Sequence, residues 1–206
     1  MLLALKDEEG TINGGTIYPF ELGGAVIAEL AIDDRISIDP DSKKLTVTDR
    51  APTGDPLLDH WLGQMADSKK TRRAAEWVGR VAGTGDLKHR VAMQLVRRGI
   101  LRADEDKVLL VFTRKVYPEL DPKPERELMD RLERAVFDDD DVAPRTAILV
   151  ALAHHSGLLR VVFGKKRVKA RRDHLVSMAE GSAAAGATKE AISAMEAAIM
   201  VVTVVT

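Results

Sequence analysis

The chain has 206 residues, of which 45% are apolar, 4% aromatic and 31% charged, with a net charge of −1. That length fits one domain, the apolar content supplies a sizeable aliphatic core, and the balanced charge excludes the dominating basic field of a dedicated nucleic-acid protein. There is no cysteine, which excludes disulfide scaffolds and thiolate metal sites and fits a reducing compartment.

In chain order, MLLALKDEEG at the start reads as the end of a helix and is too short for a signal peptide. Residues 10–18, with Asn13, Gly14 and Gly15, form a loop. Pro19 opens an apolar helix to about Asp33. Ile36–Ile38 and Leu45–Val47 alternate around Pro40-Asp41-Ser42, the pattern of a hairpin. In APTGDPLLD, residues 51–59, Pro52, Gly54 and Pro56 break the chain, and Asp55 caps a helix with Pro56 at its first position. Helices are predicted at about 56–66 and 71–82, and a third runs from a cap at Asp86 to Arg98, ended by Gly99. A second hairpin is predicted with strands Ile100–Arg102 and Val108–Phe112 around the acidic turn 103–106.

The two helix–hairpin units repeat. Leu30, Asp34 and Ile36 have the spacing of Leu95, Gly99 and Leu101, 65 residues later. Two copies are too few for a solenoid and read as tandem winged-helix-like units. The second half is helical: an amphipathic helix over 124–137, an acidic connector at 138–141, and a helix from Arg145 to His155 that is apolar all round over 147–153 and therefore central. A helix over 165–179, basic at its start, is followed by a small-residue linker at 181–186 and a last helix capped by Thr188. The final ten residues, 197–206, are apolar but fall short of the roughly 20 needed to span a bilayer, so they are expected to be a buried helix and any membrane contact to be peripheral.

The chain carries no GxSxG, Walker or GxGxxG motif, and adjacent His154 and His155 point in different directions on a helix, so neither a cofactor nor a catalytic constellation is expected. His155 is read instead as capping the buried helix, and Trp61 and Trp77 as core or rim packing. The densest charge is RVVFGKKRVKARR, residues 160–172. A continuous helix from Lys165 would put Lys165, Lys166, Lys169 and Arg172 on one side, where they could meet anionic lipid or simply be solvated. SKKTRR, residues 68–73, is a second, weaker basic stretch, read as a helix start on the surface.

Several segments, in order, resemble the Golgi phosphoprotein 3 family: LLALKDEEG, ELAIDDRI, APTGDPLLD, LVRRGIL and TAILVALAHHSGLLRVVF. The resemblance covers most of the chain as a single domain of the divergent, bacterial type. It implies a mainly α fold, a central buried helical bundle surrounded by amphipathic helices, with two β-hairpins in winged-helix-like units. It also implies a non-enzymatic peripheral membrane protein that binds phosphatidylinositol 4-phosphate as an adaptor or trafficking-type protein, cytoplasmic and on the cytosolic face of a membrane. The family's headgroup pocket resembles a Trp, an Arg on the first long helix and two Arg three apart at the start of a later helix. Here those positions fall on Gly15 or Thr16, on Gly24, and on Gly85 and Lys88. The phospholipid headgroup site therefore reduces to Lys88, with Arg90 and the free N–H groups after Asp86 beside it. The resemblance also implies that members can self-associate with a hairpin contributing, for which Val108 to Phe112 (VLLVF) is a candidate homo-oligomer strand, the alternative being that it packs inward. Two other readings of the residues are a winged-helix DNA-binding regulator, opposed by acidic wings at Asp39, Asp41, Asp104, Glu105 and Asp106, and a protein-interaction scaffold without lipid binding.

Overall fold

The computed structural model describes residues 1–5, 9–11, 18–108, 112–138 and 142–179. The predicted last helix, its Thr188 cap and the apolar 197–206 run lie outside the described residues, as do 139–141 of the acidic connector.

The first unit opens with α1, Tyr18–Ile32, and β1, Ile36–Ile38, which pairs antiparallel with β2, Leu45–Val47, in the register Ile36 to Val47. α1 ends with Asp34 in the left-handed region at φ 54°, where Asp34 N–H donates to Ala31 O and Arg35 N–H to Leu30 O. α2, Pro56–Ala66, and α3, Ala74–Ala82, follow. The expected helix start at residue 71 is wrong. Residues 71–73 are extended against the first hairpin, with Leu45 N–H donating to Arg72 O and Ala74 N–H to Lys43 O, so those backbone groups are already committed to strand-like pairing. α3 begins only where they are released.

The second unit repeats this design. α4, Leu87–Arg97, ends at Gly99 (φ 71°), with Gly99 N–H donating to Val96 O and Ile100 N–H to Leu95 O. Both helices thus finish in the same two-bond left-handed closure, which is the structural content of the 65-residue repeat. The second hairpin departs from expectation. Its strands are β3, Asp104–Val108, and β4, Phe112–Val116, paired Asp104 to Val116 through Val108 to Phe112. The Leu101–Glu119 bridge continues the same register, so residues expected to form the turn lie within a longer ladder. Composition marked the acidic stretch as a turn. Cross-strand pairing overrides it, because Asp104 and Glu105 stand on an exposed ribbon where acidic side chains stay solvated. The tip, residues 109–111, and with it the centre of the expected self-association strand, lies outside the described residues.

The rest is helical: α5, Lys123–Phe137; α6, Pro144–His155; α7, Leu158–Phe163; α8, Lys165–Ala170; and α9, Arg172–Ala179. The expected single helix over 165–179 is two, interrupted at Arg171, whose Nε donates to Val136 O and whose Nη2 donates to Asp138 O at the end of α5.

α6 positions everything else. Ile148, Ala151 and Leu152 belong to the core shared with α1, α2, α3 and the first hairpin, while Ala147, Val150 and Ala153 belong to the core shared with α5, α7, α8 and α9. A helix apolar on all sides can serve two cores at once, as its sequence predicts. α1 packs tightly against α3 at Gly23, where a Cβ would stand 2.7 Å from the Val78 carbonyl oxygen. Two glycines inside a helix weaken it locally, and Gly23 has its reason in that crossing. At the base of the second hairpin Gly10, at φ 59°, accepts Tyr117 N–H at 3.0 Å; a Cβ there would meet the Tyr117 and Pro118 backbone.

Candidate functional site

Asp55 organises the APTGDPLLD segment. Its Oδ1 accepts Leu57 N–H at 2.7 Å and Leu58 N–H at 3.2 Å, the cap its sequence predicts, and it also accepts Gln94 Nε2 at 2.7 Å from α4. Thr53 closes the loop by donating its N–H (2.6 Å) and hydroxyl (2.7 Å) to Asp59 Oδ1, and these bonds hold the Asp59 carboxyl below its usual range. The segment therefore couples the two helix–hairpin units.

The start of α4, where the headgroup site was expected, is built differently from that expectation. Asp86 stands at the N-cap, but its side chain makes no capping bond. Lys88 is half-buried, with its ammonium 5.7 Å from the centre of the Tyr117 ring, and His89 Nδ1 lies 2.6 Å from the Tyr117 hydroxyl. Tyr117 is buried, which raises its pKa. Lys88 and Arg90 are two residues apart, roughly 200° around the helix axis, so α4 does not aim both at one point. At Gly85 a Cβ would meet nothing within 4 Å, so the site has open space where the family pattern carries an arginine.

The basic segment is sorted by its packing. Arg167 is pinned by Glu133 at 2.9 Å and lies 4.2 Å from the Phe137 ring centre, Val168 is buried, and Arg171 is held by the α5 carbonyls. Lys165, Lys166 and Lys169 are exposed on α8 and, among the described residues, form no ion pair. Arg172 is exposed too, but it begins α9 beyond the break and does not continue their face. On α7, before the break at Gly164, Val161 is 62% exposed.

Both histidines sit where α6 ends. His155 Nδ1–H donates to the Ala151 carbonyl at 2.9 Å, the capping role expected for it. His154 has its pKa lowered by burial and by the neighbouring His155, Arg160 and Arg172 charges. Trp61 and Trp77 are core residues. Sequence reasoning missed Glu21, a carboxylate only 8% exposed in the first turn of α1. Burial raises its pKa from 4.5 to about 7 despite a hydrogen bond with the Ser156 side chain, and its Oε1 has no partner among the described residues. The signal was a lone acid in the apolar run YPFELGGAV. A cavity of about 770 Å³ lies between α5, α7 and the N-terminal segment; its rim mixes Glu119, Glu125, Glu127 and Asp130 with Lys123 and Arg126, and none of the cations named above lines it. Among the described residues no cluster of metal ligands is found, and no helix is long and apolar enough to cross a membrane.

Together these features define a mainly helical protein of two coupled helix–hairpin units around a buried central helix, with three exposed lysines on a short outer helix. The chain belongs to the Golgi phosphoprotein 3 (GPP34) family, whose model it matches over residues 1–195. It is 26% identical over 153 residues to the vacuolar protein sorting-associated protein 74 of Eremothecium gossypii, an alignment covering 64% of this chain and 46% of that protein. The chain thus spans about half the length of the curated relative it matches.

Proposed function

We propose that the protein is a non-enzymatic peripheral membrane protein that binds anionic phospholipid and acts as a sorting or trafficking adaptor on the cytosolic face of a membrane. What supports this reading is the outer face of α8, where Lys165, Lys166 and Lys169 are exposed without an ion-pair partner among the described residues, in a chain of the Golgi phosphoprotein 3 family. Each such lysine near an anionic bilayer contributes on the order of 1 kcal/mol. Arg172 strengthens the field without sharing the face. Phosphatidylinositol 4-phosphate is the headgroup the family likeness favours, with Lys88 as its contact on α4 and Arg90, on another side of that helix, adding to the local field; the open space at Gly85 leaves room for that phosphate to approach α4.

Vesicle co-sedimentation tests the reading. Lys165→Ala/Lys166→Ala/Lys169→Ala is expected to weaken binding to phosphatidylglycerol or phosphatidylserine vesicles by about 100-fold. Lys88→Ala/Arg90→Ala is expected to remove any preference for phosphatidylinositol 4-phosphate and to leave general anionic binding in place. A wild-type protein indifferent to every anionic vesicle at low salt would refute the proposal and favour a protein-interaction scaffold.

A further inference from the structure

The loop between α2 and α3 was read from sequence as a solvated helix start. Folded, it borders a cavity of about 210 Å³ against β2, with Arg50, Lys70 and Arg72 in its wall and Thr46, Thr71 and Trp77 also lining it. Among the described residues that line it, none is acidic. Asp67 stands 3.9 Å from Arg50 but outside the lining, with its side chain 83% exposed.

Arg72 is held in place by groups other than an acid, and Arg50 by a backbone carbonyl as well as its ion pair with Asp67. Arg50 Nη2 donates to Ala66 O, at the end of α2, at 2.8 Å. Arg72 donates to the Ser68 hydroxyl and to Lys70 O, and its guanidinium lies 5.6 Å from the Trp77 ring centre. Its backbone is fixed by pairing with Leu45. A guanidinium carries five N–H donors, and these bonds leave several unused on each side chain. Three like charges around one concave space repel one another, and a bound anion reverses the sign of that interaction. Fixed guanidinium forks beside hydroxyls match the geometry of a tetrahedral oxyanion with several acceptor oxygens.

We infer that the cavity lined by Arg50, Lys70 and Arg72 is an oxyanion site that takes a phosphate monoester group. The group could belong to a lipid headgroup or to a soluble phosphate-bearing molecule. The site shares no residue with α4 or α8 and stands whether or not those surfaces bind lipid.

The test is titration of the ¹⁵N-labelled full chain with inorganic phosphate at constant ionic strength, against a chloride control. Saturable amide shifts confined to residues 46–50 and 66–73 are expected, and Lys70→Ala or Arg50→Gln should weaken binding by about tenfold with unchanged thermal unfolding. Vesicles then identify the source. Stronger retention on phosphatidic acid than on phosphatidylglycerol vesicles, lost in Lys70→Ala but kept in the α8 triple variant, assigns the site to a monoester headgroup. Equal retention, with the phosphate shifts present, assigns it to a soluble ligand. Shifts that follow ionic strength alone, or that persist undiminished in both variants, overturn the inference. Loss of vesicle binding in the α8 variant alone bears on the membrane proposal and leaves this site untouched.

Discussion

Asp55 shows how a single side chain can carry two levels of structure. Its carboxylate satisfies two of the orphan N–H groups at the start of α2 and accepts Gln94 from α4 with the same oxygen. The capping half is local and can be read from Asp-Pro in the sequence; the Gln94 half joins residues 39 positions apart and cannot. Asp55→Ala is expected to lower stability by about 2 kcal/mol, more than the roughly 1 kcal/mol typical of a lost cap alone, because Gln94 is also left without its partner. Chemical denaturation of Asp55→Ala, Gln94→Ala and the double variant checks this: the two single losses should not add, since both break the same bond.

At the scale of elements, the α1–α3 crossing sets how closely the first unit packs. A Cβ at Gly23 would lie 2.7 Å from the Val78 carbonyl oxygen and 3.2 Å from Val78 Cγ1, closer than atoms tolerate, so the helices would have to move apart. On an isolated helix Gly to Ala stabilises by up to about 1 kcal/mol. Here the sign is expected to invert: Gly23→Ala should destabilise by about 1–3 kcal/mol through overpacking, whereas Gly79→Ala, whose Cβ would meet nothing within 4 Å, should be neutral or stabilising. Thermal unfolding of the two variants separates packing from propensity. The same scale explains α8. Arg167, Val168 and Arg171 face α5, and the exposed face of one short helix is left to Lys165, Lys166 and Lys169.

For the whole molecule, the junction of α1 with the end of α6 links pH to stability. The Glu21 carboxyl is raised by burial to about 7 from an ordinary 4.5, so the folded state prefers it protonated. The stability this contributes is complete below pH 4.5 and is lost as pH rises through about 7, by on the order of 2–3 kcal/mol. His154 acts in the opposite direction: its pKa is lowered by burial, so the fold resists its protonation and stability declines as pH falls below 6.5. Glu21→Gln is expected to abolish the loss between pH 4.5 and 7 and to leave the His154 slope intact. Unfolding free energies measured across that range check it; a pH profile identical to wild type would show that Glu21 is already solvated in the fold. The proposed membrane contact belongs to this scale as well. Because α8 is exposed, its attraction to anionic vesicles should fall steeply between low and physiological salt.

Local sequence encodes the chain order of most helices and of both hairpins, the Asp55 cap, the paired helix endings at Asp34 and Gly99, the all-round burial of α6 and the family. Each is written in neighbouring residues: periodicity, a capping side chain, a residue able to take positive φ, an ordered set of motifs. Contacts between distant parts of the chain settle the register of the second hairpin, the strand-like path of residues 71–73, the break at Arg171, the approach at Gly23 and the burial of Glu21. In these places backbone or side-chain groups are satisfied or crowded by partners distant in the chain. Arg171 leaves the helix because the carbonyls of Val136 and Asp138 accept its guanidinium, and Arg72 joins a cavity wall because Leu45 pairs with its backbone. Local pattern fixes what a segment prefers, and hydrogen bonding and close packing across the fold decide where that preference gives way.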